Sequence, residues 1–169
     1  MDIFEKHFAM LQNSRDIFEK YKNRGEIKAF SNEQAEFSMR GKELLTIEMC
    51  EQFMEVRSIH YYNVVTKKMG EYTFPEWLVC LNEKVLLEYV IPIFSGALKE
   101  YPMLCGMNCE WQVLYEITMI SQEFWNDNRE WKVYFSKIIK KVLFEYEQGS
   151  LISNVPENYL SQFEKFNNI

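Results

Sequence analysis

Between Trp131 and Tyr146 the apolar residues recur at one spacing. Trp131, Tyr134, Phe135, Ile138, Ile139, Val142 and Tyr146 follow i, i+3, i+4, i+7. At 3.6 residues per turn this aligns them along one side of an α-helix. Asp127 with Glu130 reads as a capping box at its start, and Gly149 closes it. Lys137 and Lys140 fall on the outer face, bracketed by Val133 and Phe144. Those two apolar residues require either a covering segment or a contact role.

The same pattern extends through most of the chain. Residues 3–22 form one helix or two short ones, with Phe4 and Phe18 on a common face beside Phe8, Leu11 and Tyr21; Asp2–Lys6 is echoed at Asp16–Lys20 by helical periodicity. From Glu43 a helix carries Leu45, Met49, Cys50, Phe53, Met54 and Val56 on one arc. Glu48, Glu51 and Glu55 lie opposite, continued by Ile59 and Tyr62, and Gly70 ends the segment. Thr73-Phe-Pro-Glu76 is a helix start, with Thr at the cap and Pro in the first turn. The stretch Trp77–Ile91 is apolar nearly all round, which predicts a central helix bent or ended by Pro92; a buried strand over Val85–Phe94 is the alternative. Asn108 caps a further helix reaching Trp125, whose polar side is the narrow line Gln112, Glu116, Glu123. Asn154-Val-Pro-Glu157 opens a last helix bearing Tyr159, Leu160, Phe163 and Phe166.

Residues 26–40 read both ways. Ala35, Phe37 and Met39 alternate like a strand, while Ser31-Asn-Glu-Gln34 is a helix-start signal that tips the reading to helix. The expectation is an all-α fold, a single compact domain over 1–169 with about six or seven helices. A small sheet within 26–49 is the alternative.

Chemistry is harder to find. The chain holds 13 Phe, 10 Tyr and 4 Trp, ample for a core, against two histidines, His7 and His60. Neither histidine has a second ligand at i+3 or i+4, and neither follows Glu by three residues, so helical zinc and di-iron motifs are absent. Cys50, Cys80, Cys105 and Cys109 form no C-x-x-C pair and read as reduced, mostly buried thiols. No glycine pattern cradles phosphate and no serine sits in a nucleophile elbow. No cofactor, no metal and no enzymatic activity is expected. The charged N-terminus and the lack of a long uncharged apolar run point to a cytoplasmic protein without a membrane span.

Charge is uneven. From Glu71 to Asp127 nine acidic residues face two basic ones, whereas Arg129, Lys132, Lys137, Lys140 and Lys141 follow against Glu130 alone. An acidic middle and a net charge of −6 make nucleic acid a poor partner and a basic protein a good one. The candidate contact residues are Glu48, Glu51, Glu55 and Tyr62 along one helix face, then Glu76 and Glu83, seven apart on another. In overall profile (short, single-domain, acidic, rich in Phe, Tyr, Asn and Lys, without a catalytic motif) the chain resembles the immunity proteins of bacterial contact-dependent growth inhibition systems. That resemblance implies a small cytosolic inhibitor occluding the active site of a cognate nuclease or other toxin domain. A helical regulatory or small-ligand-binding domain with an apolar pocket is the second expectation, suited to nine Met and many aromatics.

Overall fold

The computed structural model describes residues 2–22, 35–151 and 153–168. Among them lie ten α-helices, two 3-10 turns (Ala35–Ser38 and Met69–Glu71), one isolated antiparallel bridge between Arg40 and Lys68, and no strand. The fold is all-α, with more helices than expected. The helices are α1 (Ile3–Tyr21), α2 (Gly41–Leu44), α3 (Ile47–Glu55), α4 (Ile59–Thr66), α5 (Phe74–Asn82), α6 (Leu87–Glu100), α7 (Gln112–Thr118), α8 (Gln122–Asp127), α9 (Arg129–Glu147) and α10 (Glu157–Asn167). Residues 26–34 of the helix expected over 26–40 lie outside the described residues. Of its remainder, Ala35–Ser38 is a 3-10 turn and Arg40 an isolated bridge residue, so it forms neither α-helix nor strand.

The additional helices come from breaks inside segments that read as continuous. The helix expected from Glu43 is interrupted twice. Thr46 caps α3, its Oγ1 accepting from the Met49 N–H at 3.1 Å, and Arg57 then turns the chain at φ 57° before Ser58 caps α4. The last piece, α4, ends at Thr66, before Gly70. The central helix is likewise two. Lys84 and Leu86 take φ of 57° and 53° between α5 and α6, while the Lys84 ammonium caps the Leu81 carbonyl at 2.9 Å. Pro92 lies inside α6 without ending it, and no strand covers Val85–Phe94. Asn108 caps nothing: α7 starts after Trp111, which has φ 71°, and Ser121 opens α8 as a separate helix. At α9 the cap position is Asn128, without a side-chain cap bond, so the Asp127–Glu130 box does not form. Gly149, at φ 66°, does follow its end.

One hydrophobic core reaches from Phe18 to Phe166. α5 and α6 fill its centre, and every residue of α6 from Val90 to Leu98 is buried. Phe18 of α1, Phe74 and Phe94 form an aromatic triad with ring centroids 5.0–6.2 Å apart. Trp125 meets Phe135 and Phe166 at 6.2 and 5.5 Å, locking α8, α9 and α10. Such edge-on and tilted pairs add to the area term of burial. Only the second half of α1 joins this core; Phe4 and Phe8, on the face expected to share burial with Phe18, are exposed. Among the described residues no helix is long and apolar enough to cross a membrane.

Candidate functional site

α3 buries a single side chain, Phe53, whose ring meets Tyr61 of α4 edge-on at 5.3 Å. Met49 and Cys50 are half-buried against the core, and the remaining residues of the helix, with those that follow it into α4, include several exposed apolar side chains. Ile47 is 80% exposed, Ile59 62%, Val56 50%, Tyr62 48% and Met54 46%. Glu48, Glu51 and Glu55 are exposed among them, and none makes an ion pair among the described residues. Ile47, Cys50, Glu51, Met54 and Glu55 of α3, with Lys42 of α2, line a hollow of about 450 Å³. This is an apolar surface rimmed by unpartnered carboxylates.

Two devices orient it. The positive φ of Arg57 and the Ser58 cap, whose Oγ accepts from the His60 N–H at 3.3 Å, turn α4 so that Tyr61 points inward and Tyr62 outward. The Tyr61 hydroxyl then donates to the Glu83 carboxylate at 2.6 Å. Burial, with the Glu83 carboxylate beside it, pushes the Tyr61 hydroxyl up to about 12. Exposed Glu83, at the end of α5, is thereby held at the edge of the α3–α4 face. Five of the six expected contact residues (Glu48, Glu51, Glu55, Tyr62 and Glu83) therefore stand exposed on or beside one surface.

Glu76 does not, which corrects its assignment to a surface shared with Glu83. It is 1% exposed. Its carboxylate accepts from the Lys67 ammonium at 3.0 Å and the Thr73 hydroxyl at 3.0 Å, with the His60 Nδ1 at 3.8 Å. The cause is positional. α5 is apolar nearly all round, so its first turn lies inside the fold, and a carboxylate three residues past the cap reaches Thr73 and the end of α4. A buried charge persists where partners replace water. Glu76 braces α4 against α5, behind the exposed face. Beside it the Tyr72 hydroxyl donates to the Val64 carbonyl.

The brace also bears on catalysis. His60 borders a hollow of about 130 Å³ with Arg15, Leu11, Phe74, Pro75, Leu78 and Met107. Its walls are mainly apolar, and Glu76 is already held by Lys67 and Thr73. Cys105 and Cys109 are engaged separately, with the Gly106 carbonyl and the Tyr159 hydroxyl. Among the described residues no group of His, Cys, Asp or Glu is gathered as a metal site.

Sequence reasoning missed Tyr61, Lys67 and Thr73 as the residues that position this region. Thr73 does occupy the cap position of α5, but its hydroxyl donates to the Glu76 carboxylate and caps no backbone N–H. Lys67 and Glu76 are nine apart across a helix boundary, a spacing with no linear signature. The chain matches no family model, no curated protein and no solved structure.

Proposed function

We propose that this chain is a cytoplasmic protein-binding inhibitor of the immunity type. It covers the active site of a cognate, basic, nuclease-type toxin domain with its α3–α4 face and makes no bonds itself. One observation carries the reading: Ile47 and Met54 line one hollow with the unpaired Glu51 and Glu55, and Val56, Ile59 and Tyr62 stand exposed on the chain that follows it. Clustered apolar side chains in water favour a covering partner, and the sign of the rim selects a cationic one. A nuclease active site presents cations to phosphates. The carboxylates take the phosphate positions and accelerate encounter, while the apolar side chains exclude water and hold the complex. Glu83 extends the rim, and Glu76 serves the reading from inside by keeping α4 seated.

The test is co-expression with the toxin-type product of the adjacent gene. Growth is expected to be rescued, with a complex whose association slows as salt rises. The E51K/E55K double variant is expected to fold and to lose rescue. Absence of both rescue and complex with the wild-type chain overturns the proposal.

A further inference from the structure

We infer that a second copy of this chain docks its acidic α3 into a basic trough between α6 and α9. The trough is an open groove of about 720 Å³. Its walls are Val133, Tyr134 and Ile138, and its cations are Lys99, Arg129 and Lys137, with Glu130 the one carboxylate among the lining residues. Tyr134 is fixed by its hydroxyl, which donates to the Ser95 carbonyl at 2.9 Å. Val133 is 54% exposed, so no described segment covers the α9 outer face. Arg129 and Lys137 form no ion pair among the described residues. Lys132 is different: its ammonium binds the Phe166 carbonyl at 2.8 Å and lies 3.1 Å from that ring's centroid. Arg129 and Lys137 are therefore the trough cations that hold no ion pair within the described residues.

The surface that complements this trough is on the same molecule. α3 presents Ile47 and Met54 as apolar anchors beside Glu48, Glu51 and Glu55, opposite in sign to Arg129 and Lys137. The lengths agree: Ile47 to Glu55 and Arg129 to Lys137 each span eight residue steps, about 12 Å of helix at ~1.5 Å per step. Within one chain α3 packs on α2 and α4, and α9 on α6, α8 and α10, so the two surfaces meet between molecules. Nucleic acid fits the trough less well, because a phosphate chain would meet Glu130 inside it and a net charge of −6 around it. The contact pairs two different surfaces, so it is heterologous in kind.

The same α3 face cannot hold a second copy and a basic partner together. If the proposed function is right, that partner dissolves the assembly; the self-contact itself does not depend on it.

Sedimentation of the wild type and two variants tests this. The wild type is expected to exceed its 20.4 kDa monomer mass as concentration rises, and to return to it in high salt. E51K/E55K and R129E/K137E each weaken association by about tenfold or more. Their equimolar mixture recovers dimers, because each retains the surface the other lacks. R129E/K137E leaves toxin rescue unchanged, which separates this proposal from the previous one. All four positions are exposed, and an unchanged melting temperature verifies folding. The inference is overturned by a wild type that stays monomeric at millimolar concentration, by assembly that neither variant weakens, or by a mixture that does not dimerise. A monomeric wild type that binds an acidic peptide would assign the trough to another protein and equally overturn it.

Discussion

The α3–α4 and α5–α6 pairs are neighbours in sequence and in space, yet they use apolar residues in opposite ways. α6 buries every residue from Val90 to Leu98, and α5 buries every residue from Glu76 to Leu81. α3 buries Phe53 alone, and α4 buries Val64 and Val65. Hydrophobicity does not decide the difference, since Ile47, Val56 and Ile59 are as apolar as residues of the central pair. The decisive factor is how much of each helix has a neighbour. The central pair is enclosed, while α3 and α4 lie across it and leave one side bare. On the proposed function, the division assigns stability to one pair and display to the other, joined through Glu76 and the Tyr61–Glu83 hydrogen bond.

The largest expected effect tests the enclosed side. Trp77 is 1% exposed and meets Tyr72 edge-on at 5.2 Å. Trp77→Ala should cost about 3–5 kcal/mol, through lost transfer energy plus a cavity. Melting would then fall by roughly 6–20 °C for a chain of this size. Ile47→Ala should cost less than about 0.5 kcal/mol, because its side chain is already in water. Urea midpoints of the two variants check this, and equal losses would break the comparison.

Next in size is the joint between the two pairs. Glu76→Ala leaves the Thr73 hydroxyl and the Lys67 ammonium without their acceptor. A fully buried broken pair costs about 3–5 kcal/mol. Lys67 is 37% exposed and can recover water, so about 1–3 kcal/mol is expected. Because α4 carries Tyr62, the same variant should also weaken partner binding, whereas Trp77→Ala should act on stability first. Chemical denaturation and association kinetics on one sample distinguish the two.

A smaller effect appears in alkali. Burial pushes the Tyr61 and Tyr134 hydroxyls and the Cys105 thiol up to about 12, helped by Glu83, Glu100 and Cys109 respectively. Burial also raises Tyr72, Tyr159 and Cys80. Raised acids keep their protons in the fold after the unfolded chain has lost them. Above the ordinary thiol and phenol values, about 8.5 and 10, the unfolded state binds fewer protons and stability falls as pH rises. The urea midpoint should therefore decline from about pH 9 towards 12. Tyr61→Phe, which removes one of these groups at the joint, should make that decline shallower.

The fold class was legible because periodicity survives any arrangement of helices; the α9 stripe is buried or half-buried from Trp131 to Val142 and Gly149 follows the helix end, while Tyr146, read as part of the stripe, is exposed. The breaks were not legible. A helix end is usually marked by glycine in the left-handed conformation, but here Arg57, Lys84, Leu86 and Trp111 adopt it. The surrounding packing imposes that conformation, and no local residue signals it. Ser58 and Ser121 were available as cap signals, but each follows an apolar or aromatic run that reads as continuous helix. The exposure of Glu48, Glu51, Glu55 and Tyr62 was readable because it follows from amphipathicity on a half-covered helix. Glu76 was misread because a fully enclosed helix has no outer face, so its spacing to Glu83 carried no information.

The smallest expected effect concerns sign rather than size. Glu48 lies in the first turn of α3, where the helix dipole favours a carboxylate, whereas Glu55 is its last residue, where the dipole disfavours one. Glu51 also stands four residues before Glu55, a like-charge spacing that destabilises a helix slightly. Glu48→Lys should therefore lower stability by about 0.3 kcal/mol and Glu55→Lys raise it by about 0.3 kcal/mol. Both should weaken binding of a basic partner. A residue that costs stability in the free protein and contributes to a complex belongs to the contact surface, since nothing in the folded chain rewards it. Thermal melts paired with titration against the proposed toxin partner decide the matter. If Glu55→Lys stabilises the chain and leaves binding unchanged, α3 is an ordinary solvated helix and the display side of the comparison fails.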